Sequence, residues 1–418
     1  MLHSDASGER GMRLGFFSTE YFRKRPGMAE SDRELCHELA RIGYDVRAVV
    51  EDRRLPPGEV TVDHDGAVRL WRYHAPRFHL LRPRTYADKL LKAMFGAPRL
   101  ASVLAVYGHF VRENHDLDLL QVEAPFPEGA LVGMVARRAG KPFIVSARGW
   151  ESRTLPWLRS RAIRWTLQRA AGVRPNALNM ERMLIEEFGV DQGRVRVIRT
   201  NLSREVYLPA GSDLSAVRAA SRVAARERAG LRHRFLVAAV ARFVPSKGLE
   251  DLLAALRILR DRNVPVGLVL CGDGVLRERL RDQAAELRLT DDVAIIGSVP
   301  HADIRALLAG VDLLVVPALL DWTPRTAVEA AVVGTPCVLT SAVGCAEWVL
   351  QAGAGRVVPP AEPKALADTI QDWLEQPEGL AMAGRKAVAW AETFAVERVA
   401  EELSRFHRDV VGADHCSR

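Results

Sequence analysis

A short basic loop in the second half of the chain has the residue types to bind an anion. Residues 241–248 (ARFVPSKG) follow the apolar run Phe235 to Val240, which is typical of a buried strand. In an open α/β sheet, ligands bind beyond the carboxyl ends of the strands. Arg242 and Lys247 are therefore placed where two cations could neutralise a diphosphate. Two solvated surface charges are the alternative interpretation.

Two carboxylates eight positions apart follow another strand end. The apolar run Leu313 to Val316 ends at Pro317, and Asp321 and Glu329 come after it. Asp321 lies in the loop that enters a helix and Glu329 about two turns inside it, so they would meet different parts of one ligand. We expect them to hydrogen-bond sugar and ribose hydroxyls rather than to bind a metal. A cap at Asp321 and a surface position for Glu329 are the alternatives.

The helix that carries Glu329 begins with residues that favour an anion site. Thr323 is predicted as its N-cap, Pro324 as its first residue and Gly334 as its end. The free amides at the start of a helix attract anions. The sequence therefore predicts that the helix start and the basic loop serve one ligand.

A third strand end carries two glycines. The run Gly267 to Leu270 leads into Gly272-Asp273-Gly274. Glycine has no side chain to keep a ligand away from the backbone, so this turn could approach a ligand closely. A plain tight turn is the alternative.

The composition describes a folded protein of two domains. The chain has 418 residues, of which 48% are apolar and 27% charged, and this length suits two ordinary cores. No window reaches the roughly 18 apolar residues of a membrane span, and residues 1–13 lack the apolar region of a signal peptide. Five scattered cysteines predict neither a disulfide framework nor a zinc site. We therefore expect a cytoplasmic protein.

The net charge of +7 would attract nucleic acid, an anionic membrane or phosphorylated ligands. An arginine-rich composition by itself is the alternative explanation. Neither a stacked aromatic platform nor a helix-turn-helix pattern supports nucleic acid. The segment 77–99 mixes basic and apolar residues, so it could make peripheral contact with the inner face of the membrane and collect a lipid-linked acceptor. A surface insertion that lines an acceptor pocket is the other interpretation.

Two alternations of strand and helix must position these residues. In the first half the predicted strands are Leu14 to Phe17, Val46 to Val50, Leu117 to Val122, Pro142 to Ser146 and Val195 to Ile198. In the second half they are Phe235 to Val240, Gly267 to Leu270, Val293 to Ile296, Leu313 to Val316, Cys337 to Leu339 and Arg356 to Val358. Near-continuous apolar strands predict a parallel, doubly wound sheet in each half. The predicted organisation is a domain at 1–208, a helical linker at 209–234, a second domain at 235–388 and a closing helix with tail at 389–418.

The spacing of these pieces resembles the retaining family-4 glycosyltransferases of GT-B fold, the glycosyltransferase group 1 type. Arg242 and Lys247 are similar to that family's Arg/Lys pair, which grips the donor diphosphate. Asp321 and Glu329 resemble its Glu-x7-Glu signature. Gly344, followed three positions later by Glu347, resembles its later Gly-x-x-Glu element. In the first half Gly27 matches a glycine of the acceptor-side loop, and Trp390 to His407 resembles the helix that crosses back to the N-terminal domain.

The resemblance implies two Rossmann-like domains that face a cleft. It also implies transfer of a sugar from a nucleotide diphosphate sugar to a hydroxyl of a glycan, lipid-linked or small-molecule acceptor, with retention of configuration and with neither a metal nor another cofactor. The implied catalytic residues are Asp321, Glu329, Arg242 and Lys247. The implied donor-binding residues are Arg242, Lys247, Gly272, Gly274, Thr323, Pro324, Arg325, Thr326 and Glu329, and the acceptor-side residues are Gly27, Arg148 and Glu151.

Three residues depart from the pattern of the family. Asp321 stands where the family usually has Glu, so its reach is one methylene shorter. Pro324 replaces a frequent Gly and removes one amide that could bind phosphate. Arg148 occupies a position where relatives often have His. A nucleotide-sugar-binding subunit without catalysis is therefore the alternative function, whereas a GT-B epimerase would need an acid and a base that the sequence does not show.

Overall fold

The structure of the protein is a computed structural model that describes residues 11–19, 21, 28–75, 86–148, 157–202, 208 and 211–416. For residues 28–29, 86–98, 157–158, 302 and 414–416 it describes the backbone alone. Gly27, Glu151 and the side chains of 77–98 lie outside the described part. The predictions for these acceptor-side and membrane-facing residues therefore stay predictions.

The first half of the chain alternates strands and helices. In chain order they are β1 (Arg13–Ser18), α1 (Met28–Arg41), β2 (Asp45–Glu51), β3 (Val60–Asp65), β4 (Val68–Tyr73), α2 (Tyr86–Glu113), β5 (Leu119–Val122), α3 (Glu128–Ala139), β6 (Phe143–Ala147), α4 (Trp157–Arg169), β7 (Gly172–Pro175) and α5 (Leu178–Glu186). The strands form one sheet in the order β3-β4-β2-β1-β5-β6-β7. The strand order reverses between β1 and β5, which makes the sheet doubly wound.

One edge of this sheet differs from the all-parallel prediction. β3 pairs with β4 antiparallel, whereas the other pairs are parallel. The turn at Gly66, with φ +59°, joins the two strands. β3 is largely exposed, so it lacks the apolar run by which a buried strand is recognised. The sequence pattern therefore missed this hairpin, and it missed the short strand β7.

The strand predicted at Val195 to Ile198 is wrong. This segment runs beside β7, and the N–H groups of Arg196 and Ile198 donate to the carbonyl oxygens of Val173 and Pro175. Only an isolated bridge between Val173 and Val195 results. Pro175 has no N–H to donate in return, so the ladder cannot continue there.

The second half repeats the alternation. In chain order it contains α6 (Leu214–Ala229), β8 (Phe235–Val240), α7 (Leu249–Asp261), β9 (Val266–Cys271), α8 (Arg277–Glu286), β10 (Val293–Gly297), α9 (His301–Gly310), β11 (Leu313–Val316), α10 (Arg325–Val332), β12 (Cys337–Thr340), α11 (Ala346–Ala352), β13 (Gly355–Val358), α12 (Pro363–Leu374), α13 (Pro377–Ala391) and α14 (Val396–Cys416). The strands form a parallel sheet in the order β10-β9-β8-β11-β12-β13. The prediction of a doubly wound α/β sheet in each half is thus confirmed.

The chain divides into two compact units. The first comprises Met1–Asn176, Met180–Asn201 and Val396–Arg418, and the second comprises Ala177–Asn179 and Leu202–Ala395. The chain therefore returns to the first unit with α14. Phe406 and Val410 of this helix pack against Gly172 at the start of β7, where a Cβ would lie only 2.6 Å from the Phe406 ring. Trp390, by contrast, belongs to the second unit and packs edge-on against Phe394 at 5.0 Å.

The helix predicted as a linker is part of the second unit. Asp213 caps α6 by accepting a hydrogen bond of 2.8 Å from the Ser215 N–H, and Gly230 ends the helix with φ +67°. α6 packs on α9 at Gly310, where a Cβ would lie only 2.3 Å from the carbonyl oxygen of Ser221. This close packing makes α6 a fixed wall of the unit.

Candidate functional site

The second sheet brings the basic loop and the acidic loop to the same place. The basic loop follows β8 and the acidic loop follows β11, and these two parallel strands are neighbours. The strand order reverses between them. Loops that leave an open α/β sheet at such a reversal diverge and form a ligand crevice.

Backbone contacts fix the basic loop against the end of β11. The carbonyl oxygen of Ser246 accepts hydrogen bonds from the N–H groups of Leu319 (2.9 Å) and Leu320 (3.3 Å). Gly248 has φ +61°, and a Cβ there would lie 2.0 Å from the Pro317 carbonyl oxygen. Only glycine combines this conformation with so close a backbone approach. Gly248 therefore sets the distance between the two loops.

Lys247 and Asp321, both assigned to the site from the sequence, form an ion pair. Lys247 Nζ donates to Asp321 Oδ2 at 2.6 Å, and the two side chains are 14% and 16% exposed. Asp321 Oδ1 accepts a second hydrogen bond, of 2.9 Å, from the Trp322 N–H. A carboxylate held at both oxygens has a fixed orientation, and so has the ammonium group that it binds.

The glycine turn supports the basic loop through backbone contacts. A Cβ at Gly272 would lie 1.8 Å from the Ala241 carbonyl oxygen, and a Cβ at Gly274 2.4 Å from that of Phe243. The Phe243 N–H donates to the Asp273 carbonyl oxygen at 2.9 Å. Contacts within the protein thus explain the two glycines, because they let the turn pack against the basic loop. Arg242 on that loop is exposed.

Helix α10 begins one residue later than predicted. Pro324, with ψ 117°, is extended and stands at the N-cap, so Arg325 is the first helical residue. The prediction that Thr323 is the N-cap is therefore wrong. No side chain caps α10 in the described structure. Thr323, Pro324, Arg325 and Thr326 lie together at the helix start, as the sequence placed them.

Glu329 is buried rather than on the surface of its helix. Its side chain is 2% exposed, and Oε1 accepts a hydrogen bond of 3.0 Å from Arg325 Nε. His301 Nε2 lies 3.7 Å from the same oxygen. The sequence prediction missed His301, although it follows the end of β10 as Lys247 follows β8. Glu329 therefore anchors two nitrogen-bearing side chains beside the helix start.

The later glycine element fastens the acidic loop. Gly344 N–H and Asn179 Nδ2 both donate to the Asp321 carbonyl oxygen, at 3.0 and 3.1 Å. A Cβ at Gly344 would lie 2.5 Å from the Trp322 carbonyl oxygen. Gly344 thus holds the backbone of Asp321 in position. Glu347 is exposed at the start of α11.

In the first unit, Arg148 lies in a buried cluster of charges. Arg148 Nη2 lies 2.5 Å from Asp32 Oδ1 and 2.5 Å from Glu123 Oε2, and the three side chains are 0–4% exposed. Ser18 donates to Asp32 at 2.5 Å, and Ser146 donates to Glu123 at 3.0 Å. Burial raises the pKa of Asp32 to about 6 and the nearby Glu123 adds to the effect, while Arg148 opposes it.

This cluster gives Arg148 a positioning role at the end of β6. It lies beside the order reversal of the first sheet, since Ser18 ends β1 and Glu123 follows β5. The sequence singled out Arg148 but missed Asp32 and Glu123, which are 116 and 25 positions from it. Because two carboxylates bind it, Arg148 has a fixed position directly after β6.

The part of the chain that the structure describes offers neither a metal site nor a reactive thiol. No three His, Cys, Asp or Glu side chains there come together as a metal ion would need, and no helix there is both long and apolar enough to cross a membrane. The free cysteines Cys36, Cys271, Cys337 and Cys345 are buried. Burial raises the pKa of Cys337 to about 12 and that of Cys271 to about 11, so these thiols stay protonated and unreactive at neutral pH.

Comparison with known proteins agrees with this geometry. The family model "Glycosyl transferases group 1" matches residues 224–390, and "Glycosyl transferase 4-like domain" matches residues 27–201. The GDP-mannose-dependent alpha-(1-6)-phosphatidylinositol monomannoside mannosyltransferase of Mycolicibacterium smegmatis is 29% identical over 288 residues, which are 66% of this chain and 72% of that protein.

Solved structures share the fold of almost the whole chain. Anabaena Alr3699/HepE in complex with UDP superposes with a TM-score of 0.68 at 21% identity and covers 94% of this chain and 98% of that one. Sucrose-phosphate synthase from Thermosynechococcus elongatus gives a TM-score of 0.72 at 20% identity and covers 96% and 100%. With both halves matched by family models and the fold by solved structures, this chain belongs to the group 1, family 4 type of GT-B glycosyltransferases.

Proposed function

We propose that this enzyme transfers a glycosyl group from a nucleotide diphosphate sugar to a hydroxyl of a glycan, lipid-linked or small-molecule acceptor. We further propose that the anomeric configuration is retained and that no metal is needed. The observation that carries the proposal is the Lys247–Asp321 ion pair, which lies at the order reversal of the second sheet.

Lys247 supplies the positive charge for the leaving diphosphate. Its side chain is only 14% exposed, so it interacts with an anion more strongly than a fully solvated lysine would. Asp321 holds the ammonium in place before the donor arrives. Preorganised charge of this kind stabilises a transition state without the cost of reorganisation at the moment of reaction.

Helix α10 supplies further stabilisation. Its first N–H groups have no side-chain cap in the described structure, and such amides attract phosphate oxygens. Glu329 and the Arg325 that it binds lie on the first two turns of this helix. We assign Glu329 to hydroxyl groups of the donor and the helix start to its phosphates.

In the transfer step the bond from the anomeric carbon to the diphosphate oxygen breaks. A bond from that carbon to the acceptor oxygen forms on the same face of the sugar. The acceptor proton passes to the departing phosphate oxygen, and Lys247 and the α10 amides balance the charge that develops on the diphosphate. This route needs no base of its own from the protein.

The relatives suggest which donors to test. Alr3699/HepE has been solved with UDP-glucose as well as with UDP, and the mycobacterial relative is named as GDP-mannose-dependent. We therefore propose a UDP- or GDP-linked hexose as donor, used in the synthesis of a glycan, an exopolysaccharide or another glycoconjugate.

The test incubates the chain with UDP-glucose or GDP-mannose and a panel of hydroxyl acceptors, with and without EDTA. We expect release of nucleoside diphosphate that EDTA does not reduce, and NMR of the product should show the anomeric configuration of the donor. A donor that raises the melting temperature but never yields nucleoside diphosphate would instead identify a binding subunit without catalysis.

A further inference from the structure

A cavity in the second unit lies at the amino-terminal ends of the strands, whereas Lys247 and Asp321 follow their carboxyl-terminal ends. It has a volume of about 680 Å³. Its lining includes Phe235, the first residue of β8, and Asp312 and Pro336, which directly precede β11 and β12. A strand of four to six residues is about 13–20 Å long. The cavity is therefore separate from the loops that follow the same strands.

Arginines dominate the polar lining of this cavity. Those on α6 recur every fourth residue, so they share one face of the helix. The lining carries one carboxylate, that of Asp312, against five guanidinium groups: Arg218, Arg222, Arg226, Arg234 and Arg385. The wall therefore carries a local excess of positive charge.

Arg218 is partly buried and is held by neutral groups. Nη1 donates to the Val333 carbonyl oxygen at 2.9 Å and to Thr335 Oγ1 at 2.5 Å, and Nη2 donates to the Val311 carbonyl oxygen at 3.3 Å. Burial lowers the pKa of the guanidinium and the Arg222 charge lowers it further, while Asp312 acts in the opposite direction. The groups that hydrogen-bond this cation orient it, but none of them carries a negative charge.

The carboxylate of Asp312 already has partners at both oxygens. Arg222 Nη2 lies 3.0 Å and Arg226 Nη2 3.7 Å from Asp312, and the second oxygen of Asp312 accepts the Leu236 N–H at 2.9 Å. Arg234 stacks 5.0 Å from the centre of the Phe235 ring, and Arg385 contacts the sulfur of Met382 at 3.6 Å. Among the described residues, no carboxylate lies within salt-bridge distance of Arg218, Arg234 or Arg385.

An arginine-rich composition does not explain this arrangement. Elsewhere on the second unit, several exposed arginines each have a carboxylate beside them: Arg257 pairs with Asp261, Arg279 with Glu250 and Arg281 with Glu278. In the cavity, five arginines share the one carboxylate of Asp312. Such a wall is suited to a ligand that brings two or more negative charges.

Most of the remaining lining is apolar and lies at or near the ends of helices. Leu374 ends α12, Leu380 and Val388 belong to α13, and Leu214 begins α6. The volume is within the range of roughly 300–1,000 Å³ typical of small-molecule sites. A charged wall beside an apolar one fits a compact ligand with an anionic end and a less polar body.

We propose that this cavity binds a phosphorylated small molecule, with its phosphate on the guanidinium groups of Arg222, Arg226 and Arg385 and its body against the leucines. A phosphate ester carries roughly −1.5 to −2 charges at neutral pH and has three acceptor oxygens. Arginine matches it with two parallel hydrogen bonds. The site is distinct from the donor site and does not depend on the proposed function.

Calorimetric titration of the full chain with inorganic phosphate and with glucose 6-phosphate tests this site. The variant Arg222→Ala/Arg385→Ala removes two exposed arginines and leaves Arg218 and Arg226 in place. We expect its affinity to fall by about tenfold or more, whereas Lys247→Ala should bind as the wild type does. Equal binding by the double variant, loss of binding in Lys247→Ala, or no binding at millimolar probe would each overturn the proposal.

Arginine footprinting gives a second readout. Phenylglyoxal should modify Arg222 and Arg385 more slowly when glucose 6-phosphate is present, as mass spectrometry of the peptides would measure. Modification of Arg279, which is 53% exposed on α8, should not change. Equal protection of all three, or protection by anionic lipid vesicles but not by soluble phosphates, would overturn the assignment to a small molecule.

Discussion

Lys247 Nζ lies 2.6 Å from Asp321 Oδ2, although 74 positions separate the two residues. The pair joins the loops that follow β8 and β11, at the order reversal of the second sheet. It is largely shielded from water, so it is screened less than a surface ion pair. The same contact thus ties the acidic loop to the basic loop and fixes the cation proposed to bind the donor.

Replacing Lys247 by Ala should lower kcat/KM for transfer by about 10²–10³-fold, because the charge that stabilises the leaving diphosphate is lost. The fold should survive, since Asp321 is 16% exposed and keeps its hydrogen bond from the Trp322 N–H when the lysine is removed. Lys364→Ala is the control: this lysine is 74% exposed and pairs with Asp368. Initial rates of nucleoside diphosphate release measure the effect, and near-normal transfer by Lys247→Ala would count against the site.

Gly248→Ala should destabilise the second unit more than Gly230→Ala does. Both glycines have positive φ, +61° and +67°, so each alanine bears a left-handed penalty of about 1–2 kcal/mol. Only at Gly248 does the new Cβ also meet a backbone oxygen, that of Pro317, while the space around Gly230 is open.

Urea denaturation and donor binding would measure this difference. We expect Gly248→Ala also to weaken donor binding, because the clash pushes the Lys247 loop away from Asp321. Gly230→Ala should bind the donor normally. Equal losses of stability in the two variants would show that the Pro317 contact is unimportant.

Arg148→Ala should lower the free energy of unfolding by about 3–5 kcal/mol, because it leaves Asp32 and Glu123 buried without their cation. Arg196→Ala is the matched control in the same unit, since its pair with Asp409 is 44% and 59% exposed and such pairs contribute at most about 1 kcal/mol. Chemical denaturation of both variants measures their free energies of unfolding. A loss in Arg148→Ala as small as that in the control would contradict a structural role for the buried cluster.

His407 should make the first unit less stable in mild acid. It is fully buried and its Nε2 lies 2.6 Å from Gln121 Oε1. Burial, with help from Arg174, lowers its pKa from 6.5 to about 3. The unfolded state therefore binds the extra proton first, so the stability contributed by neutral His407 is present above pH 6.5 and is lost as the pH falls toward about 3.

The corresponding measurement compares wild type with His407→Gln. Between about pH 6.5 and pH 5 the wild type should lose up to about 1.4 kcal/mol more per pH unit than the variant. The raised pKa of Asp32 acts in the opposite direction but is common to both proteins. His109→Gln, at a histidine that is 53% exposed, should keep the wild-type slope; a wild-type slope in His407→Gln would refute the assignment.

Local sequence patterns located much of the candidate site. The strands at Phe235 to Val240 and Leu313 to Val316 are confirmed residue for residue, and they placed Lys247 and Asp321 at strand ends. The patterns missed β3, whose exposed surface carries no apolar run, and they missed Asp32 and Glu123. A lone carboxylate in a sequence does not show whether it will be buried or which cation will face it.

The sequence by itself located the strands of the second sheet to within one residue at each end, because apolar runs are a local property of the chain. The tertiary structure alone decided that Lys247 meets Asp321, that Glu329 is buried against Arg325, and that Arg148 lies between two carboxylates. These pairings depend on strand order and on the exclusion of water. Both arise only when segments far apart in the chain pack together, and it is this packing that gives a charge its partner and its strength.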